Sequence, residues 1–130
     1  MNNPYMSLVG RLLLASLFLV AGTRKILAYA GTAGYMAKLG FPAPEVMAAI
    51  AIAIEVGGGI LLVLGWKTRW VAIAMAIFVV IATFAAHRFW EFDATQYAAQ
   101  LNNFLKNLAI IGGFLTLAVA GPGRLSVDKS

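Results

Sequence analysis

Residues 46–64 read VMAAIAIAIEVGGGILLVL, an unbroken apolar and glycine stretch with one ionisable residue, Glu55, near its middle. At about 1.5 Å of rise per residue, such a stretch covers close to the roughly 30 Å of hydrocarbon in a bilayer. It predicts a membrane-spanning helix over residues 44–64, with Pro44 in the first turn where proline is favoured. Glu55 then lies at a depth where an uncompensated acid costs roughly 2.5 to 3.5 kcal/mol on insertion scales and is rarely left facing lipid. The carboxyl needs a partner or a function.

Working outward, residues 5–23 form another apolar run, broken by Arg11, and residues 70–86 carry no charge before His87 and Arg88. Residues 101–120 form the last run, with Lys106 and Asn107 in its first two turns and Gly121-Pro122-Gly123 as a helix stop. These spans predict an all-α fold: an integral membrane four-helix bundle with antiparallel up-down connectivity, a single domain over residues 1–130. Residues 65–69 form a tight connection, so the helices on either side are antiparallel neighbours. The longer connections, residues 24–43 and 87–100, emerge on the opposite, long-loop face. Their Tyr29, Tyr35, Phe89, Trp90, Phe92 and Tyr97 suggest an aromatic layer at one interface. Ala28-Tyr29-Ala30 also has the form of a secretory cleavage site. Arg24 and Lys25 place positive charge where such a signal does not carry it, so the first helix is expected to stay.

Composition agrees with a membrane protein. Hydrophobic residues make up 62% and charged residues 12%, about half the roughly 25% charged fraction of soluble domains. The formal net charge of +5 comes from Lys and Arg scattered singly between apolar runs, which excludes a nucleic-acid stripe and reads as topology signals. An even number of spans puts both termini on the face of the short connection, the terminal face, which Lys67, Arg69, Arg124 and Lys129 mark, while Arg24, Lys25, Lys38, Arg88 and Lys106 lie toward the other. If Lys25 and Lys106 are tied up inside the bundle, both termini are expected to be cytoplasmic. The absence of cysteine excludes disulfides and thiolate chemistry. With one histidine, no metal or haem site is expected, and neither a hydrolytic triad nor a phosphate-binding glycine loop can be assembled.

The polar residues group into one constellation. Counting from the helix starts, Glu55 lies roughly 16 Å from the long-loop face and Arg11 roughly 9 Å from the terminal face, a difference in depth of about 5 Å in a 30 Å core. An Arg11–Glu55 ion pair is therefore expected, with the guanidinium fork holding the carboxylate. Arg11, Ala15, Phe18, Gly22 and Lys25 share one helical stripe, and Glu55, Gly59 and Leu62 share another; both should face inward. Asn103, Lys106 and Asn107 cluster within one turn, continued by Ile110 and Phe114, and His87 lies one turn beyond Thr83. Lys25, His87, Asn103, Lys106 and Asn107 fit a polar pocket open to the long-loop face and floored by Arg11 and Glu55. Each residue also has a plainer reading. The ion pair sets helix register, His87 is a solvated cap, Lys106 snorkels, and the asparagines bond between helices. The Gly57-Gly58-Gly59 and Gly112-Gly113 runs read as close-packing surfaces.

Gly10-Arg11, Ala21-Gly22 with Lys25, Tyr35-Met36, Gly40-Phe41-Pro42, Glu55 with Gly57-Gly58-Gly59, Gly65 with Thr68-Arg69, His87, Asn103-Phe104 with Lys106-Asn107, and Gly121-Pro122-Gly123 occur in this order along nearly the whole chain. In that order they resemble the DoxX family of small bacterial membrane proteins. The resemblance implies a multi-pass protein of the bacterial inner membrane. It also implies kinship with proteins associated with thiosulfate:quinone oxidoreductase or with membrane oxidoreductase complexes answering oxidative stress. The expectation is an accessory subunit, not catalytic alone, that holds a quinone or similar amphipathic small molecule non-covalently and supports a redox partner subunit. In it, Arg11 and Glu55 form the floor, and Lys25, Asn103, Asn107, Lys106 and His87 supply polar contacts. A homo-oligomeric pathway for a small solute and a purely structural scaffold are the other classes left open; the spanning helices carry no proline break of the kind that marks transporters.

Overall fold

The computed structural model describes residues 3–129. Helix α1 runs from Pro4 to Leu27, α2 from Tyr29 to Lys38, α3 from Pro44 to Leu64, α4 from Thr68 to Ala86 and α5 from Ala94 to Ala120, with a short 3-10 turn at Phe89–Glu91. Among the described residues, four helices are long and apolar enough to cross a membrane: α1, α3, α4 with the turn that follows it, and α5.

The caps explain the boundaries. Asn3 accepts from the amides of Tyr5 and Met6 at 3.0 and 3.1 Å and starts α1. Pro44 opens α3, and Gly65, at φ 71° in the left-handed region that favours glycine, closes it. Asp93 accepts from the amides of Thr95 and Gln96 and from the Thr95 hydroxyl, which draws its carboxyl below the ordinary value; the Thr95 hydroxyl contributes most. That cap starts α5 at Ala94, seven residues before the expected 101. Apolarity marks where a helix enters hydrocarbon, whereas a capped polar turn extends it into the interface.

The connection at 24–43 is largely helical. After a break at Ala28 (φ −125°, ψ 47°) the chain resumes as α2. Alongside α3, α2 buries Ala33, and the Tyr29 hydroxyl donates to the Glu45 carbonyl. With two glycines and two tyrosines in ten residues, α2 has weak intrinsic propensity, and its order comes from this packing.

The main pairings are α1 on α3 and α4 on α5; α3 and α4 adjoin through the tight connection, and Phe18 and Phe114 join α1 to α5 with ring centroids 5.5 Å apart. The core comprises Ala15, Phe18, Leu62, Ala72, Met75, Ala76, Val79 and Phe114. The α1/α3 seam is built from small residues, so the backbones approach closely. A Cβ on Gly22 would lie 2.6 Å from Val56 Cγ2, and one on Gly59 2.7 Å from Leu19 Cδ2. Gly58 is closed by the Met75 sulfur. Gly57 and Gly112 face open space, so the expectation that both glycine runs pack closely holds at Gly58 and Gly59 and fails at Gly57 and Gly112.

Candidate functional site

The two inward stripes form as expected. Arg11, Ala15, Phe18 and Gly22 are buried on α1, with Lys25 half-buried above them. Ala48, Ala51, Glu55, Gly59 and Leu62 are the buried line of α3.

The ion pair is not the expected one. Glu55, 3% exposed, accepts from Lys25, with Nζ and Oε1 2.6 Å apart. Arg11, 1% exposed, donates to backbone carbonyls instead, from Nη1 to Pro122 at 3.3 Å and from Nη2 to Leu125 at 2.7 Å. The level of Gly22 corrects the depth count: its Cβ position lies 3.3 Å from the Cβ of Glu55. Eleven residues separate Gly22 from Arg11, so Arg11 sits about 16 Å below the carboxylate. The first turns of α3 rise beyond the end of α1, where α2 lies beside them, so distances counted from helix ends were misaligned.

Side-chain direction completes the explanation. Helical side chains lean toward their own N-terminus. On α1 this carries Lys25 down toward the level of Gly22 and Arg11 toward the terminal face. On antiparallel α3 it carries Glu55 up, toward Lys25.

Below, the chain after α5 folds back over the terminal face as a latch. Val127 and Asp128 donate their amides to the carbonyls of Leu64 and Gly65, each at 2.9 Å. The Asp128 carboxylate accepts from the amides of Lys67 and Thr68, each at 2.8 Å, and so caps α4 from outside its own sequence. Those bonds hold the Asp128 carboxyl below its ordinary value, the Thr68 amide contributing most. Gly65 leaves room for the latch: a Cβ there would lie 2.5 Å from Arg11 Nη1 and would strike Ser126. The Gly121-Pro122-Gly123 stop expected from the sequence does end α5, but it carries no sign of the latch beyond it. One signal was present: α4 starts after Gly65-Trp66-Lys67, with no Ser, Thr, Asp or Asn at its own N-cap.

The remaining candidates lie apart. His87 closes α4, and its Nδ1 lies 2.7 Å from Gln100 Oε1. Thr83 is buried, and its hydroxyl donates to the Val79 carbonyl. Asn103 and Asn107 are half-buried, on the line continued by Ile110 and Phe114. Lys106 lies off that line and is exposed, which corrects its expected place inside the bundle and removes one premise of the orientation inference. Two crevices, of about 360 and 240 Å³, lie at α2/α3 and at the long-loop ends of α2 and α4; neither is lined by any of the seven candidate residues. The site therefore contracts to Lys25 and Glu55 over Gly22. Glu55 Oε1 is paired, and Oε2 is buried without a hydrogen-bond partner among the described residues. Such an oxygen is expensive to leave bare and is a natural acceptor for a ligand's hydroxyl, while the half-exposed ammonium retains protons to donate.

Comparison with known proteins agrees with the fold. The inner membrane protein YphA of Escherichia coli is 36% identical over 97% of this chain and 90% of its own length. The inner membrane protein YqjF of the same organism is 40% identical over 94% of this chain and 88% of its own. No solved structure matches. The DoxX family model matches residues 6–88, which take in Arg11, Lys25, Glu55 and His87, and the chain belongs to the DoxX family.

Proposed function

We propose that this inner-membrane protein is an accessory subunit, not catalytic alone, that holds a quinone or similar amphipathic small molecule at the Lys25–Glu55 pair and supports a membrane redox partner. The observation that carries the reading is the Oε2 of Glu55, buried and without a hydrogen-bond partner among the described residues, beside a half-exposed ammonium. A hydroxyl on the ligand donates to Oε2 while a ligand oxygen accepts from Lys25, so the pair suits the reduced, hydroxyl-bearing form of a quinone head. Such a molecule supplies electron transfer; this chain's residues bind and orient it. Arg11 takes no part, because the latch engages it some 16 Å away.

Native mass spectrometry of protein extracted gently from its own membrane tests this reading. A stoichiometric quinone-sized adduct is expected, and Glu55→Gln, which keeps the shape but replaces the carboxylate, should lose it by about tenfold or more. Finding bulk lipid alone, or an adduct unchanged in Glu55→Gln, overturns it.

A further inference from the structure

Helix α2 packs on α3 and touches α1, but among the described residues it makes no packing contact with α4. The gap between their long-loop ends is the crevice of about 240 Å³. Its polar lining is Lys38, Arg88 and Glu91, and its apolar walls include Leu39, Ala86 and Phe92. Glu91 is already engaged, its Oε2 lying 3.0 Å from Arg88 Nε, which leaves the two Nη groups of Arg88 and the Lys38 ammonium as donors. The lining thus carries one unit of net positive charge.

Depth and size narrow the ligand. The crevice lies beside an aromatic cluster in which Phe89 packs on Trp90 at 5.1 Å and on Phe104 at 5.3 Å, the kind of girdle that marks headgroup level. Its volume is below the roughly 300 Å³ at which pockets begin to engulf whole drug-sized ligands. It suits a headgroup whose chains stay in the bilayer. The geometry points to a binding site for the phosphodiester of an anionic phospholipid, held between Lys38 and Arg88. One negative charge matches the lining, and the apolar walls favour an ester carrying acyl chains over a free phosphate. This site is independent of the Lys25–Glu55 reading.

Native mass spectrometry of the purified chain in detergent, titrated with phosphatidylglycerol and with phosphatidylcholine of the same acyl chains, tests it. Retention of phosphatidylglycerol is expected to exceed that of phosphatidylcholine by on the order of fivefold, from one net positive charge near the surface. The preference should fall to near parity in K38Q/R88Q and partway in each single variant. It should survive in K67Q/R124Q, which removes equal charge from the terminal face. All four positions are exposed, and unchanged helical circular dichroism certifies each variant's fold. Millimolar inorganic phosphate should displace nothing. Equal retention of the two lipids, a preference that persists in folded K38Q/R88Q, or displacement by inorganic phosphate, which would assign the crevice to a free anion, overturns the proposal.

Discussion

Lys25 and Glu55 meet because each side chain leans toward its own helix N-terminus, and Gly22 lets the helices approach closely at that level. That glycine and Gly57 make a matched comparison on the same two helices. An added methyl at Gly22 meets Val56 and the Glu55 stem, whereas at Gly57 it meets nothing. Gly22→Ala should therefore destabilise by about 1 to 3 kcal/mol, as overpacking does. Gly57→Ala should be neutral or slightly stabilising, since alanine is the better helix former. Unfolding in detergent, followed by circular dichroism, separates the two. At this scale the sequence made the inward stripes legible, since buried positions recur every three or four residues. It did not reveal the partner of Glu55, because counting Cα depths ignores where side chains lean and how helix ends are staggered.

The spanning elements were readable from apolar length, with starts and stops at Pro44, Gly65 and Gly121. Helix α2 was not, because packing on α3 rather than propensity orders it. The latch was hidden for a related reason: its bonds join residues about sixty positions apart, and only the uncapped start of α4 hinted at a missing acceptor. Asp128 makes the latch sensitive to acid. A carboxyl whose folded value is depressed supports the folded latch above its ordinary value of 3.8 and loses that support as pH falls through the lower folded value. The latch should hold at neutral pH and release only in strong acid, below about pH 4. Hydrogen exchange at neutral pH should show the amides of Lys67, Thr68, Val127 and Asp128 protected. Asp128→Ala should speed exchange at Lys67 and Thr68 by on the order of fivefold, as loss of a helix cap does. Unchanged exchange there would remove the cap from the description.

Across the whole molecule, two buried charges in one bundle receive separate solutions. Glu55 is matched by Lys25 near the long-loop end of α1, and Arg11 is solvated by backbone carbonyls at the terminal face. The sequence showed that both charges are buried but not that they are divided between two ends, and a pocket floored by both does not form. Double-mutant cycles decide this division directly, using Lys25→Met, Arg11→Met and Glu55→Gln, singly and in pairs, with unfolding free energy measured in detergent. Lys25 and Glu55 should couple by about 1 kcal/mol or more, because removing one partner strands the other charge. Arg11 and Glu55 should add to within about 0.5 kcal/mol, as sites beyond contact do. A strong Arg11–Glu55 coupling with none between Lys25 and Glu55 would contradict the arrangement described and the ligand site built on it.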